Sequence, residues 1–214
     1  MAFAGFPAAA LAFYAGLEAD NTRAYFTANR VVFDDAVRAP MEALLAELEP
    51  RFGEGRILRP NRDVRFSKDK TPYRTELGAM VGDGYVAIGA AGLGAGAGYF
   101  HLAADQLERY RAAIDDERSG ADLARAVDAI RDAGIEIWGT DPLRTTPRGY
   151  APDHPRIELL RYRGIVAWRR FAPGPWLATP AARERVVEVF ETAAPLCGWL
   201  RARVGPSTVP RRSR

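Results

Sequence analysis

The residues best equipped for chemistry are crowded into one stretch, Arg59-Pro60-Asn61-Arg62-Asp63-Val64-Arg65-Phe66-Ser67-Lys68-Asp69-Lys70-Thr71-Pro72-Tyr73. Residues 56–74 hold seven bases, Arg56, Arg59, Arg62, Arg65, Lys68, Lys70 and Arg74, against two acids, Asp63 and Asp69. Such a set can cradle a phosphate or carboxylate, with the acids orienting the bases. It can equally neutralise itself as a buried ion network that holds the loop. The chain has 28 arginines and 2 lysines, and both lysines fall here. A chain that uses Arg almost everywhere points, at Lys68 and Lys70, to a need for a compact ammonium in place of a planar fork. The expected ligand contacts are Arg62, Arg65, Lys68, Lys70 and Tyr73, with Arg148 and His154 reaching in from a later loop.

The acid–base candidates are Asp63, Asp69 and His154. If Arg62–Phe66 is extended, Asp63 and Arg65 share one face, and Arg62, Val64 and Phe66 share the other. His154 sits in Asp153-His154-Pro155 within a polar loop and has a side chain able to titrate near neutrality. Asp-His-Pro is also a good turn sequence, so a turn or capping role competes with catalysis there. His101, in an apolar stretch, reads as a sheet histidine.

Several familiar sites are absent. Gly92-Leu93-Gly94-Ala95-Gly96-Ala97-Gly98 is followed by no Gly-Lys-Ser/Thr, and it reads as a flexible hairpin loop with the makings of a lid rather than a phosphate or dinucleotide cradle. Two histidines and the single Cys197 are too few and too scattered for a zinc site, and Cys197 follows the helical apolar pattern of a core residue. A carboxylate-bound Mg²⁺ at Asp63 or Asp69 competes with the bases around them, so no metal is expected. No Gly-x-Ser-x-Gly elbow occurs, and no motif specifies a cofactor.

Charge narrows the partner. The net charge is +3, but residues 201–214 carry five arginines and no acid. Without them the chain has a net charge of −2, and the motif is a local +5 on an otherwise acidic body. A focused patch of this kind fits a small anionic ligand better than a long nucleic acid. A nucleic-acid-binding module, with Tyr73 stacking on a base, is the second reading. A non-enzymatic interaction protein with a structural ion network is the third. No run of about 20 apolar residues exists and the opening residues lack a basic leader, so no membrane partner is expected and the cytoplasm is the default.

The elements that must position the motif follow from periodicity. Phe6-Pro7 opens a helix to about Ala19. Asp20-Asn21-Thr22 caps a second helix running to about Val37, and Pro40 restarts it until Pro50. Ile57-Leu58 and Val64–Phe66 read as short strands. Leu77–Val81 and Tyr85–Ile88 flank Gly82-Asp83-Gly84 as a hairpin. Tyr99–Leu102 reads as another strand. Asp105 with Glu108 opens a helix to about Arg118, and Ser119 caps the next, which ends before Gly134. Ile135–Trp138 and Ile165–Phe171 read as strands, with a short helix at Ile157–Leu160 between them. Thr179-Pro180 opens a C-terminal helix interrupted near Pro195. The order predicts an α+β fold, a mainly antiparallel sheet covered by helices, with residues 1–205 as a single domain and 206–214 as a disordered basic tail.

Arg59-x-x-Arg62-Asp63-x-Arg65-Phe66-x-x-Asp69-Lys70-x-x-Tyr73 resembles the signature of the domain-of-unknown-function 2461 family, mostly bacterial proteins of similar length. Asn21, Tyr25-Phe26 and Asn29-Arg30 resemble its N-terminal motif, and Gly98-Tyr99-Phe100-His101 with Leu107 and Arg111 its middle. Pro147-Arg148-Gly149-Tyr150, Asp153-His154-Pro155 and Leu159-Leu160 resemble its later motif. Tyr25 stands where a tryptophan is common in that family, and Ala95 and Ala97 interrupt a more uniform glycine stretch. The family has no established activity, so the resemblance implies motif positions and no reaction.

Overall fold

A computed structural model describes residues 2–65 and 68–209. The clearest local signal, Gly82-Asp83, closes a two-residue hairpin. β1 (Gly55–Ile57) pairs antiparallel with β2 (Glu76–Val81), which turns back as β3 (Gly84–Gly89) with Leu77 opposite Ile88 and Val81 opposite Gly84. Only the first central turn residue, Gly82, has positive φ (53°), as a II′ turn requires. β4 (Gly92–Tyr99), β5 (Glu136–Gly139) and β6 (Ile165–Phe171) complete a six-stranded sheet in the order β1-β2-β3-β4-β6-β5. The fold is α+β, with a mainly antiparallel sheet.

The glycine-rich stretch expected to be a flexible loop is strand β4, and Leu93, Gly94, Ala95 and Gly96 along it are buried. Glycine serves close approach there. A Cβ at Gly96 would fall on the Ala167 carbonyl oxygen and the Trp168 ring of β6. Alternation of large apolar residues, the usual strand signal, is therefore missing from a strand whose neighbours leave no room for it. The expected strand at Tyr99–Leu102 ends at Tyr99, and His101 is exposed outside it. The expected strand at Val64–Phe66 does not form at Val64 or Arg65; Phe66 lies outside the described residues.

The helices are α1 (Ala8–Ala19), α2 (Arg23–Ala28), α3 (Arg30–Val32), α4 (Ala39–Phe52), α5 (Ala104–Asp115), α6 (Glu117–Asp132), α7 (Ile157–Arg161) and α8 (Ala181–Arg203). Thr22 caps α2, its Oγ1 accepting the Tyr25 N–H at 3.1 Å. Pro40 does not restart the helix as expected. A π-helical turn, Phe33–Arg38, carries the chain straight into α4, with the Ala39 N–H bonded to Asp34 O five residues back. Proline cannot donate to the carbonyl four residues back and crowds it, and a widened turn just before Pro40 accommodates both effects. Pro195 likewise lies inside an unbroken α8. Asp116, not Ser119, caps α6 by accepting the Ser119 N–H. Ser119 is buried instead, accepting the Trp199 indole N–H on its carbonyl (2.9 Å) and hydroxyl (3.1 Å).

The chain forms two compact units, Met1–Ala95 with Arg170–Glu188, and Gly96–Arg169 with Val189–Arg214. The first is organised around an aromatic cluster. Phe13 touches Tyr14, Tyr25, Phe26 and Phe33 with centroids 5.1–5.9 Å apart, and Phe26 stacks on Tyr73 at 4.2 Å. The second centres on Tyr110, Leu123, Val127, Ile130 and Trp199, all buried. In it, Gln106 and Arg109 bond the carbonyls of Gly205, Val204 and Pro206, while Asp105 accepts from Ser207 and Thr208. Residues 206–208, expected within a disordered tail, bond to Arg109 and Asp105 of α5, and residues 210–214 lie outside the described residues. No helix among the described residues is long and apolar enough to cross a membrane.

Candidate functional site

The motif is a loop closed at its neck. Asn61 forms an isolated antiparallel bridge with Tyr73, Arg62 N–H donates to Pro72 O (2.9 Å), and Arg74 N–H donates to Pro60 O (2.8 Å). Asn21, just before α2, seals that neck from outside. Its Oδ1 accepts the Tyr73 N–H at 3.1 Å and its Nδ2 donates to Tyr73 O at 3.0 Å, imitating the bond pair of a neighbouring strand. Tyr73, 9% exposed, stacks its ring on Phe26 at an interplanar angle of 10°.

Within the loop the acids are committed to arginines. Asp63 holds Arg65 through Nε (3.0 Å) and Nη2 (2.7 Å), and also accepts the Arg65 N–H. Asp69 accepts from Arg62 and from the Thr71 N–H (2.9 Å), and Arg62 also donates to the Thr71 hydroxyl. Lys70 Nζ donates to Val64 O at 3.0 Å. Lys68 is exposed and makes no hydrogen bond or ion pair among the described residues. The pairs are at the surface, so the network is not the buried one that the sequence leaves open. Ser67 lies outside the described residues.

These bonds hold both carboxyls well below their ordinary range, each at about 2. For Asp63 the Arg65 side chain is the chief cause; for Asp69 it is the Thr71 N–H, followed by Arg62. A carboxylate held this acidic is a weak proton acceptor near pH 7, so Asp63 and Asp69 orient cations better than they move protons. Carboxyls depressed in the folded chain support it fully above about pH 4 and lose that support as pH falls through about 2. In ¹³C NMR titrations both carboxyl carbons are expected to titrate near pH 2. Midpoints near 4 contradict the pairing.

Beside the neck opens a groove of about 420 Å³ lined by Arg62, Asp63, Tyr73, Arg74, Thr75 and Glu76. Arg74 is its uncommitted cation. Its backbone is fixed at the neck, yet its exposed side chain makes no hydrogen bond or ion pair among the described residues. Glu76 begins β2 and pairs with Arg170 at 3.3 Å. Gly78, two residues on, leaves room for Tyr85 to lie across β2, where its hydroxyl donates to Glu76 Oε1 at 3.4 Å. Burial, with Glu76 second, pushes the Tyr85 phenol up to about 12, so it remains a donor at neutral pH. Tyr14 of α1, 1% exposed, has a hydroxyl with no partner among the described residues, and burial followed by the Glu76 charge raises it as well.

Of the residues expected to touch a ligand, Arg62 and Tyr73 line this groove, while Arg65, Lys68 and Lys70 stand on the exposed loop. Arg148 and His154 belong to the second unit. Arg148 is exposed and makes no ion pair among the described residues. His154 Nδ1 accepts the Arg156 N–H at 3.0 Å and Nε2 lies 3.4 Å from Asp115 Oδ1, so both ring nitrogens are engaged by the chain's own groups. Sequence reasoning missed Arg74 and Glu76 as site residues. The signal was available: Arg74 is the last base of the motif, and Glu76 is the one acid at the head of an otherwise apolar strand.

A family model described as conserved hypothetical protein (DUF2461) matches residues 9–199. No curated protein and no solved structure matches the chain.

Proposed function

We propose, from the premise that the chain belongs to the DUF2461 family of conserved hypothetical proteins, that it binds a small phosphate- or carboxylate-bearing molecule in the groove beside the motif loop. The observation that carries this reading is Arg74, an uncommitted guanidinium on the groove wall of a loop whose Arg62 and Arg65 are tied to Asp69 and Asp63. A planar fork fixed by its backbone suits a two-oxygen anionic group. Glu76 and Asp63 add acceptors for hydroxyls or amines elsewhere on the ligand. Lys68 and Lys70 raise the local potential from the loop above, attracting anions without fixing their orientation. A space of about 420 Å³ suits a small molecule.

The nucleic-acid reading is less favoured. Base stacking needs an open aromatic face, and Tyr73 is buried against Phe26. The test is isothermal titration with inorganic phosphate and with acetate. Arg74→Met is expected to weaken binding about tenfold or more, as loss of a charge-assisted pair should. Lys68→Met, which removes only a general attraction, is expected to cost less, with the loss shrinking as salt rises. Equal binding by wild type and Arg74→Met overturns the reading.

A further inference from the structure

The groove beside the motif loop is not uniformly positive. Its lining carries two cations, Arg62 and Arg74, and two carboxylates, Asp63 and Glu76. Arg62 answers Asp69, and Asp63 answers Arg65, so the two lining charges that the loop leaves over are Arg74 and Glu76. A single residue, Thr75, separates them, which puts their Cα atoms at most about 7 Å apart. Opposite charges that close would ordinarily pair, yet Arg74 makes no ion pair among the described residues.

Glu76 is held by other groups. Its Oε2 lies 3.3 Å from Arg170, and its Oε1 accepts the Tyr85 hydroxyl at 3.4 Å. Gly78 makes room for the second contact, because a Cβ there would fall on that hydroxyl. Both contacts are long, and the Glu76 side chain is 32% accessible. Each oxygen therefore keeps a lone pair for a further donor, and a part-exposed pair such as Glu76–Arg170 is weak enough to share. A bare anion seated on Arg74 occupies a cavity that also holds the Glu76 and Asp63 carboxylates, and their like charge opposes it. A ligand that carries an ammonium beside its oxyanion turns this repulsion into attraction.

Resting on the reading of Arg74 as the seat of the anion, we infer that the groove selects a small zwitterion, a carboxylate or phosphate bearing a primary ammonium, with the oxyanion on Arg74 and the ammonium on Glu76. An ammonium brings three donors and a full positive charge, which a hydroxyl in the same place does not. Lys68 and Lys70 attract the negative end from the loop, and the two charges on the wall set which way round the ligand lies.

The experiment is isothermal titration of the full chain with two matched pairs of probes, propionate against β-alanine and ethyl phosphate against phosphoethanolamine. The members of each pair differ chiefly by one ammonium. In wild type the ammonium member of at least one pair is expected to bind about fivefold more tightly, the effect of one charge-assisted hydrogen bond. The pair that shows this identifies the oxyanion. Glu76→Gln keeps the shape of the side chain and removes its charge. It is expected to move the two members in opposite directions, weakening the zwitterion about fivefold and tightening the plain anion about twofold. A structural role for Glu76 alone would weaken both alike. Arg74→Met is expected to weaken both. The wild-type comparison needs no variant, so it decides even where Glu76→Gln fails to fold. Plain anions that bind wild type as tightly as their ammonium partners overturn the inference and leave the anion site standing, and so does a preference that survives in Glu76→Gln. No binding by any of the four probes, or binding unaffected by Arg74→Met, overturns the anion site and the inference together.

Discussion

Replacing Gly96 by valine is expected to destabilise the protein by about 3 kcal/mol, by the overpacking of a filled interior, lowering the thermal midpoint by roughly 6–12 °C for a chain of this size. The Cβ alone would fall on the Ala167 carbonyl oxygen and the Trp168 ring, and the two valine methyls extend further into the same space. The obstacle is largely backbone of the adjacent strand, which cannot rotate away as the end of a flexible side chain could. Thermal denaturation followed by circular dichroism measures the effect. A midpoint within about 1 °C of wild type would mean that residues 92–98 behave as a loop with room around it, since surface substitutions change stability by only about ±0.5 kcal/mol. The same experiment therefore separates the strand from the lid that the glycines suggest.

Asn21→Ala is expected to cost about 2–3 kcal/mol. Two backbone bonds to Tyr73 disappear, each worth about 1 kcal/mol net, and a part-buried N–H and carbonyl are left to find other partners. The effect is local in origin. Tyr73 anchors the end of the motif loop and packs on Phe26, so loosening it frees the neck on which Arg62 and Arg74 are mounted. Hydrogen exchange at the Tyr73 amide is expected to accelerate sharply in the variant, while exchange in β2 and β3 follows only the global loss of stability. Asn21→Asp keeps an acceptor for the Tyr73 N–H but loses the donor to Tyr73 O, and is expected to fall between wild type and alanine. Unchanged exchange at Tyr73 in Asn21→Ala contradicts the clamp.

The two substitutions also mark what the sequence conveyed. Elements announced by periodicity and turn chemistry, such as the hairpin at Gly82-Asp83, strand β6 and helix α1, stand within a residue or two of expectation. The failures share a cause: tertiary crowding decided what local pattern could not. β4 is written in glycine and alanine because β6 leaves no space for side chains, so its strand character is invisible without the neighbour. Pro40 and Pro195 signal breaks, yet a widened turn absorbs one and the long α8 runs through the other. The motif was legible as the densest concentration of charge. Its internal economy was not, because which acid answers which base depends on the closed loop. Once Asp63 and Asp69 are assigned to Arg65 and Arg62, the uncommitted charge on the groove wall is Arg74, which the sequence marks only as the last of the seven bases.

That reassignment is the centre of the functional account, and one measurement addresses it most directly. Inorganic phosphate titrated into ¹⁵N-labelled protein is expected to shift the amides of Arg62, Arg74, Thr75 and Glu76 along a saturable curve, and the response is expected to vanish in Arg74→Met. Phosphate that leaves those amides unmoved in wild type, or moves them equally in Arg74→Met, contradicts an anion site at the groove.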